Sequence, residues 1–320
     1  MTVIDLAAKK VVKGIATGSR PKHPLVSPDG KWVIVNHWGL DDCKLKVSFI
    51  ATATDKVEKE VNLKVSTCEP KGVASMHNGW STDSRYAFTV DRVDNEFVVI
   101  DTKDWSTQSF KLPSKPHYTV PSHDGKEVWV VVEGVDKANP PKAIVYEVGS
   151  WKKLAELALP LTKQPCVEGH HGNFTQDGKY FFLLNRCGGK NKIGNEVAVF
   201  DAAAKKLAAD ILVGSTGVGH AYNTPDGKYA VITNYGNNVI SIIETGSWKL
   251  VKDMTIGKGR MGHIAFTKDG KWGYVSNNQD GILYKVDATK WELVGPVKTG
   301  TGKGAGQVLN VWTPVFEELP

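Results

Sequence analysis

The chain has 320 residues, 41% of them hydrophobic, and a formal net charge of +6. That length allows a sizeable core, and no run of 18 apolar residues occurs, so no membrane-spanning helix is expected. The lysines are scattered rather than gathered into a basic stripe with stacking aromatics, which excludes a nucleic-acid footprint, and the opening MTVIDLAAKKVVKG lacks the apolar core of a signal peptide.

The first segment, TVIDLAAKKVVKGIATG, reads as two strands joined by a turn and matches ILYKVDATKWELVGPVKTG near the other end. Between them one phrase recurs: HPLVSPDGKWVIVNH from His23, HNGWSTDSRYAFTVD from His77, HYTVPSHDGKEVWVVV from His117, HGNFTQDGKYFFLLN from His171, HAYNTPDGKYAVITN from His220 and HIAFTKDGKWGYVSN from His263. The starts are 54, 40, 54, 49 and 43 residues apart, and a weaker copy, GQVLNVW, begins at Gly306. In each unit a short apolar run leads to a DGK hairpin, for which a type I′ turn is expected. A second run, a third ending in Asp (EFVVID, EVAVFD, ILYKVD) and a fourth such as SWKLVKDMTIG follow.

Repeats of this length with glycine and aromatic punctuation predict an all-β chain, a β-propeller of about seven four-stranded blades. Residues 1–320 then form a single β-propeller domain whose N- and C-terminal segments share the closing blade. A start in the middle of a unit also fits a chain that lacks an N-terminal part.

In a propeller the first strand of each blade lines the central channel, and the loop before it opens on the same face as the loop after the second strand. His23, His77, His117, His171, His220 and His263 all begin first strands and are expected to ring one mouth, with Gln307 in the seventh place. His170 is the extra imidazole of the GHH pair, and its direction is open. His37 ends a second strand where other blades carry Asn185, Asn234 or Asn277. Only five residues are arginine against 35 lysines, and Arg20, Arg92, Arg186 and Arg260 fall in loops of that face. Imidazoles suit a metal ion, and guanidinium forks suit a small anionic ligand.

Cys43, Cys68, Cys166 and Cys187 include no CxxC or CxxCH, which excludes a zinc ribbon and a covalently attached c-type haem. They read either as four buried thiols or as the pairs 43–68 and 166–187, and the pairs imply a periplasmic or extracellular setting. No GxSxG elbow occurs, and GTGKGAG at 300–306 lacks Walker spacing and leads into a strand.

Four stretches carry a family resemblance: VIVNHW (33–38), SMHNGWSTDSRYAFTVDRVDNEFVVIDTK (75–103), GNEVAVFD (194–201) and GAGQVLNVW (304–312). Through them the chain resembles the d1-haem domain of cytochrome cd1 nitrite reductase and relatives acting in haem d1 biogenesis, propellers of the YVTN type. The resemblance implies an oxidoreductase of the nitrite reductase kind, or a protein of haem d1 maturation, that binds haem d1 or a related tetrapyrrole. It implies His37 and His77 as the catalytic distal pair that donates protons. His23, His117, His171, His220 and His263 are then cofactor-binding, and Arg20, Arg92, Arg186 and Arg260 hold the tetrapyrrole carboxylates. The family's proximal ligand lies upstream of what this chain contains, which leaves His171, His220 and His263 as candidate metal ligands. Electrons would come from a separate cytochrome. Two other readings compete. One is a copper propeller of the nitrous oxide reductase type, to whose paired histidines GHHGNF is similar. The other is a non-catalytic platform that uses Trp38, Trp80 and Tyr235 to bind a partner or glycan.

Overall fold

The protein was analysed as a computed structural model, described for residues 1–297 apart from 6, 7, 9, 162–166, 188–192 and 278. The described residues form strands, turns and loops with no helix. Six antiparallel sheets have four strands each in the order 1-2-3-4, and a seventh has two described strands, Thr2–Asp5 and Lys10–Gly14. This is the expected β-propeller architecture of sequential four-stranded meanders. GQVLNVW, expected to complete the seventh sheet, lies outside the described residues, as do Gln307 and the GTGKGAG loop.

The chain divides into two compact units. The first, Met1–Glu133 with Ala143–Glu156, carries the two-stranded sheet and blades one to three. Their inner strands are Pro21–Val26, Gly79–Trp80 and Pro116–Pro121, and their second strands are Trp32–His37, Tyr86–Asp91 and Glu127–Val132. The second unit, Gly134–Lys142 with Leu157–Pro320, carries blades four to six. Their inner strands are Gly169–Phe174, Val218–Asn223 and Met261–Phe266, and their second strands are Tyr180–Asn185, Tyr229–Asn234 and Trp272–Asn277.

Burial follows strand order. The second and third strands of most blades are buried almost throughout, whereas outer strands such as Thr107–Lys111 and Leu250–Thr255 are mostly exposed. A blade's middle strands are covered on both faces, so they read as continuous apolar runs rather than as an alternation. In the first unit Ile34, Val47, Phe49, Trp80, Val98 and Ile100 make one core cluster between blades one and two. In the second unit Phe182, Leu184, Val199, Val218 and Ile232 join blades four and five.

The DGK hairpins differ from the expected type I′ turn, which needs two consecutive left-handed residues. Only the glycine is left-handed, as at Gly30 with φ 72° and Gly178 with φ 72°. The turn closes earlier instead, with Gly30 N–H donating to the Ser27 carbonyl at 2.8 Å. The Ser27 hydroxyl donates to Asp29 Oδ1 at 2.7 Å, and the same oxygen accepts the Lys31 N–H at 3.1 Å. The Ser/Thr-x-Asp pattern therefore builds a wider, side-chain-braced loop. A second left-handed site is occupied by tryptophan in four blades. Trp105, Trp151, Trp248 and Trp291 have φ of 55–64° in the turn before the outer strand. Each ring is stacked edge-on to an aromatic, Trp151 on Tyr86 and Trp248 on Tyr180 among them, and these contacts offset the strain.

Candidate functional site

Five inner strands share one irregularity at their start, each with one residue more than the second strand it pairs with. In blade one the register passes from Lys22↔Asn36 to Leu25↔Ile34, so His23 and Pro24 face Val35 alone. In blade three it passes from Pro116↔Val132 to Tyr118↔Val131, and His117 is the extra residue. In blade four His170 and His171 oppose Leu184, in blade five Gly219 is extra beside His220, and in blade six Gly262 and His263 oppose Ser276. A β-bulge re-aims the side chain at its site. Here it falls on the recurring histidine. At Gly219 it also requires a missing side chain, because a Cβ there would lie 2.5 Å from the Tyr235 ring.

A second recurrent position follows the second strands of blades one to five: Trp38, Arg92, Glu133, Arg186 and Tyr235. Each donates its backbone N–H to the loop before its own inner strand, to Arg20, Ala74, Lys115, Glu168 and Gly217 respectively, at 2.8–3.0 Å. In blades one, three, four and five a large side chain thus follows the second strand that faces the bulge.

In the first unit three imidazoles form an arc. The His23 and His77 ring centroids are 3.7 Å apart, and those of His77 and His117 are 5.9 Å apart and stacked. Tyr118 meets His77 edge-on at 4.8 Å, and burial raises the Tyr118 pKa. His77 is placed by its loop. The buried Asn36 amide donates to the Met76 carbonyl at 2.9 Å and to Ser75 Oγ at 3.1 Å. His117 Nδ1 lies 3.0 Å from Glu133 Oε1, and the carboxylate fixes that nitrogen as the donor. Arg92 closes the set with Nη1 at 2.9 Å from the same oxygen and 2.7 Å from the Pro116 carbonyl.

The second unit holds a longer arc. His171 and His220 are 4.1 Å apart, and His220 and His263 are 4.2 Å apart. His170 stacks on His171 at 4.3 Å, donates Nδ1–H to the Gly219 carbonyl at 3.0 Å and accepts from Arg186 Nη1 at 2.7 Å. Both ring nitrogens are thus assigned, and His170 is neutral. Arg186 Nη2 pairs with Glu168. Tyr235 reaches His220 Nε2 at 3.4 Å, and Tyr222 bonds His263 Nδ1. Burial pushes the Tyr235 phenol well above its usual pKa.

The structure thus brings His23, His77 and His117 together in one unit and His171, His220 and His263 in the other. His37 has a different place. It takes the register position of Asn185, Asn234 and Asn277 as expected, but it is fully buried. Its Nδ1–H donates to the Lys46 carbonyl at 2.8 Å and its Nε2 accepts the Gly18 N–H at 2.9 Å. Both nitrogens serve the backbone, and burial lowers the pKa. The arginines also divide. Arg92 and Arg186, expected to hold a ligand's carboxylates, pair instead with Glu133 and Glu168, because leaving a half-buried guanidinium unpaired is costly. Arg20 and Arg260 are exposed, Arg20 with its guanidinium 5.7 Å from the Trp38 ring centre. Glu133 and Glu168 were missed by residue-type reasoning. The signal for Glu133 is its position, the same as that of Arg92 and Arg186. Cys43 is bonded to Cys68, Cys187 is also disulfide-bonded, and Cys166 lies outside the described residues.

His23 carries a testable consequence. Its Nε2 is enclosed without a hydrogen-bond partner, and burial, then the Lys22 charge, lower its pKa to about 4. Below an unfolded pKa of about 6.5 the unfolded chain binds a proton that the folded chain refuses, so stability falls as pH drops from 6.5 towards 4. The unfolding free energy is expected to decline by up to about 3 kcal/mol across that window. Urea titrations at pH 7 and 4 should show this, and His23→Gln should flatten the slope.

No family model and no curated protein matches the chain. Among solved structures it is similar to Kuenenia stuttgartiensis hydrazine synthase, with TM-score 0.66 and 20% identity over 87% of this chain and 79% of that one. It is also similar to the Myceliophteria thermophila Cps50 (Swd1) β-propeller domain, with TM-score 0.62 and 11% identity over 88% of this chain and 87% of that one. These likenesses show the propeller fold, and a fold hosts many functions.

Proposed function

We propose that the protein is a cofactor-binding propeller whose histidine-lined inner-strand ends take a metal-centred tetrapyrrole of the haem d1 type, in nitrite chemistry or haem d1 maturation. The observation that supports this most is the chemistry of the arcs. Their imidazoles are packed among other rings, and His117 has Nδ1 anchored on a carboxylate that is itself held by an arginine. This is how proteins set a histidine's tautomer for a metal. A tetrapyrrole metal would supply the redox chemistry, and the chain's own residues would hold and orient it. Taken separately, His77 in the first unit and the phenols of Tyr222 and Tyr235 in the second would be the proton donors to a ligand bound at that unit. In each unit one exposed fork lies outside the buried ion pairs, Arg20 in the first and Arg260 in the second, and would take a peripheral carboxylate of a ligand bound at that unit.

The hydrazine synthase neighbour is, by its name, also an enzyme of small nitrogen compounds. With no CxxCH in the chain, a redox role draws electrons from a separate donor such as a cytochrome. The Cys43–Cys68 bond favours an oxidising compartment such as the periplasm. Copper on His171, His220 and His263 is the second reading, supported by their consecutive ring contacts.

Titration of the purified protein with haem tests the proposal. A stoichiometric Soret shift is expected, weakened at least about tenfold in His77→Ala or in His220→Ala, a loss of about 1.4 kcal/mol. No spectral change at equimolar haem overturns it.

A further inference from the structure

Independently of the cofactor reading, we propose that the Cys43–Cys68 bond is a thiol–disulfide exchange site, opened and closed in the folded protein by a dithiol partner. Both of its cysteines are exposed on the first unit, whereas Cys187, also disulfide-bonded, is only 3% exposed. Exchange begins when a thiolate reaches a sulfur, so access decides which bond reacts, and exposed bonds are the labile ones.

The local backbone presents the bond and is held without it. Asp41 and Lys44 close a two-residue hairpin, the Lys44 N–H donating to the Asp41 carbonyl at 2.9 Å and the Asp41 N–H to the Lys44 carbonyl at 3.0 Å. Asp42 and Cys43 form its tip with φ of 49° and 57°. This is the type I′ pattern that the DGK turns do not adopt, and its second tip position favours glycine. Cysteine there accepts a left-handed Cβ without burying its side chain, so packing does not account for it. The loop that carries Cys68 is held at one end by the Ser66 N–H on Asp94 Oδ2 at 2.8 Å. At the other end the Ala74 N–H donates to the Trp38 carbonyl at 3.0 Å, and the Ala74 carbonyl accepts the Arg92 N–H at 2.9 Å. Opening the bond therefore removes a cross-link and leaves these backbone anchors in place, as reversible chemistry on a folded protein requires.

In the reducing direction one thiolate of the dithiol attacks one sulfur of the pair. The Cys43–Cys68 bond breaks as a mixed disulfide forms, and the departing sulfur takes a proton. The second thiolate of the dithiol then attacks the mixed disulfide, closes the partner's own disulfide and releases the other cysteine as a thiol. The protein gains two electrons and two protons, and the partner loses them. An oxidised partner runs the same steps backwards.

The test treats the full chain under native conditions with dithiothreitol as the dithiol, quenches samples at intervals with iodoacetamide and locates the label by mass spectrometry. Cys43 and Cys68 are expected to label together, at least about tenfold faster than Cys187, with the circular dichroism spectrum unchanged. Oxidised dithiothreitol should close the bond again. In Cys43→Ser the remaining Cys68 thiol should label in the folded chain without reductant. Equal rates at all three cysteines, labelling of Cys43 and Cys68 only in urea, or loss of the folded spectrum on reduction overturns the proposal. No haem enters the experiment, so its outcome is separate from that of the haem titration.

Discussion

Arg186→Met is expected to lower the unfolding free energy by about 3 kcal/mol, the low end of the range for breaking a buried pair by removing one partner. Arg186 is tied at two ends, to Glu168 and to His170 Nε2 at 2.7 Å, and both members of its ion pair are less than a fifth exposed. Methionine preserves the stem's packing. It leaves the Glu168 charge without a counter-ion and the His170 acceptor without its donor. Glu168 Oε2 already lacks a hydrogen-bond partner, so the carboxylate has little left to hold it. Urea unfolding of Arg186→Met, Glu168→Gln and the double variant measures the coupling. The double variant should recover at least about 1 kcal/mol of the sum of the single losses, as coupled neighbours do. Strict additivity would show that the ion pair contributes nothing.

Opening the Cys43–Cys68 bond is expected to cost about 3–4 kcal/mol, from the loop entropy released over a separation of 25 residues. The bond joins the start of the third strand of blade one, Lys44–Ala51, to the loop that leads to His77. The other anchors of that loop lie mostly towards its two ends, the Ser66 N–H on Asp94 Oδ2 at 2.8 Å at one and the Asn36 contact with Met76 at the other. A Cys43→Ser, Cys68→Ser variant should therefore lose stability and also bind the ligand of the first arc more weakly. Unfolding midpoints of wild type and the double serine variant, both without reductant so that the bond at Cys187 stays closed, check the first effect. An unchanged midpoint would mean that the reduced loop keeps its anchors. The second effect is read from the haem titration of the same variant.

The repeat alone carried the architecture. The spacing of the DGK turns and the Asp-terminated third strands specified four strands per unit, since middle strands covered on both faces must be apolar throughout, as in Val98–Ile100 and Val197–Phe200. The repeat also placed each histidine at the start of an inner strand, because a periodic chain puts equivalent residues in equivalent places. Tertiary structure decided what each imidazole does there. The fates of His37 and His77 differ because Gly18 and Lys46 close around one ring, whereas neighbouring rings meet the other. The arginine partners come from residues 18 and 41 positions away, and the His170 anchor, Gly219, from 49. Periodicity within one unit carries no information about such partners. The left-handed tryptophans pack on an aromatic of the preceding blade and His170 is anchored on the following one, contacts that only the folded chain determines.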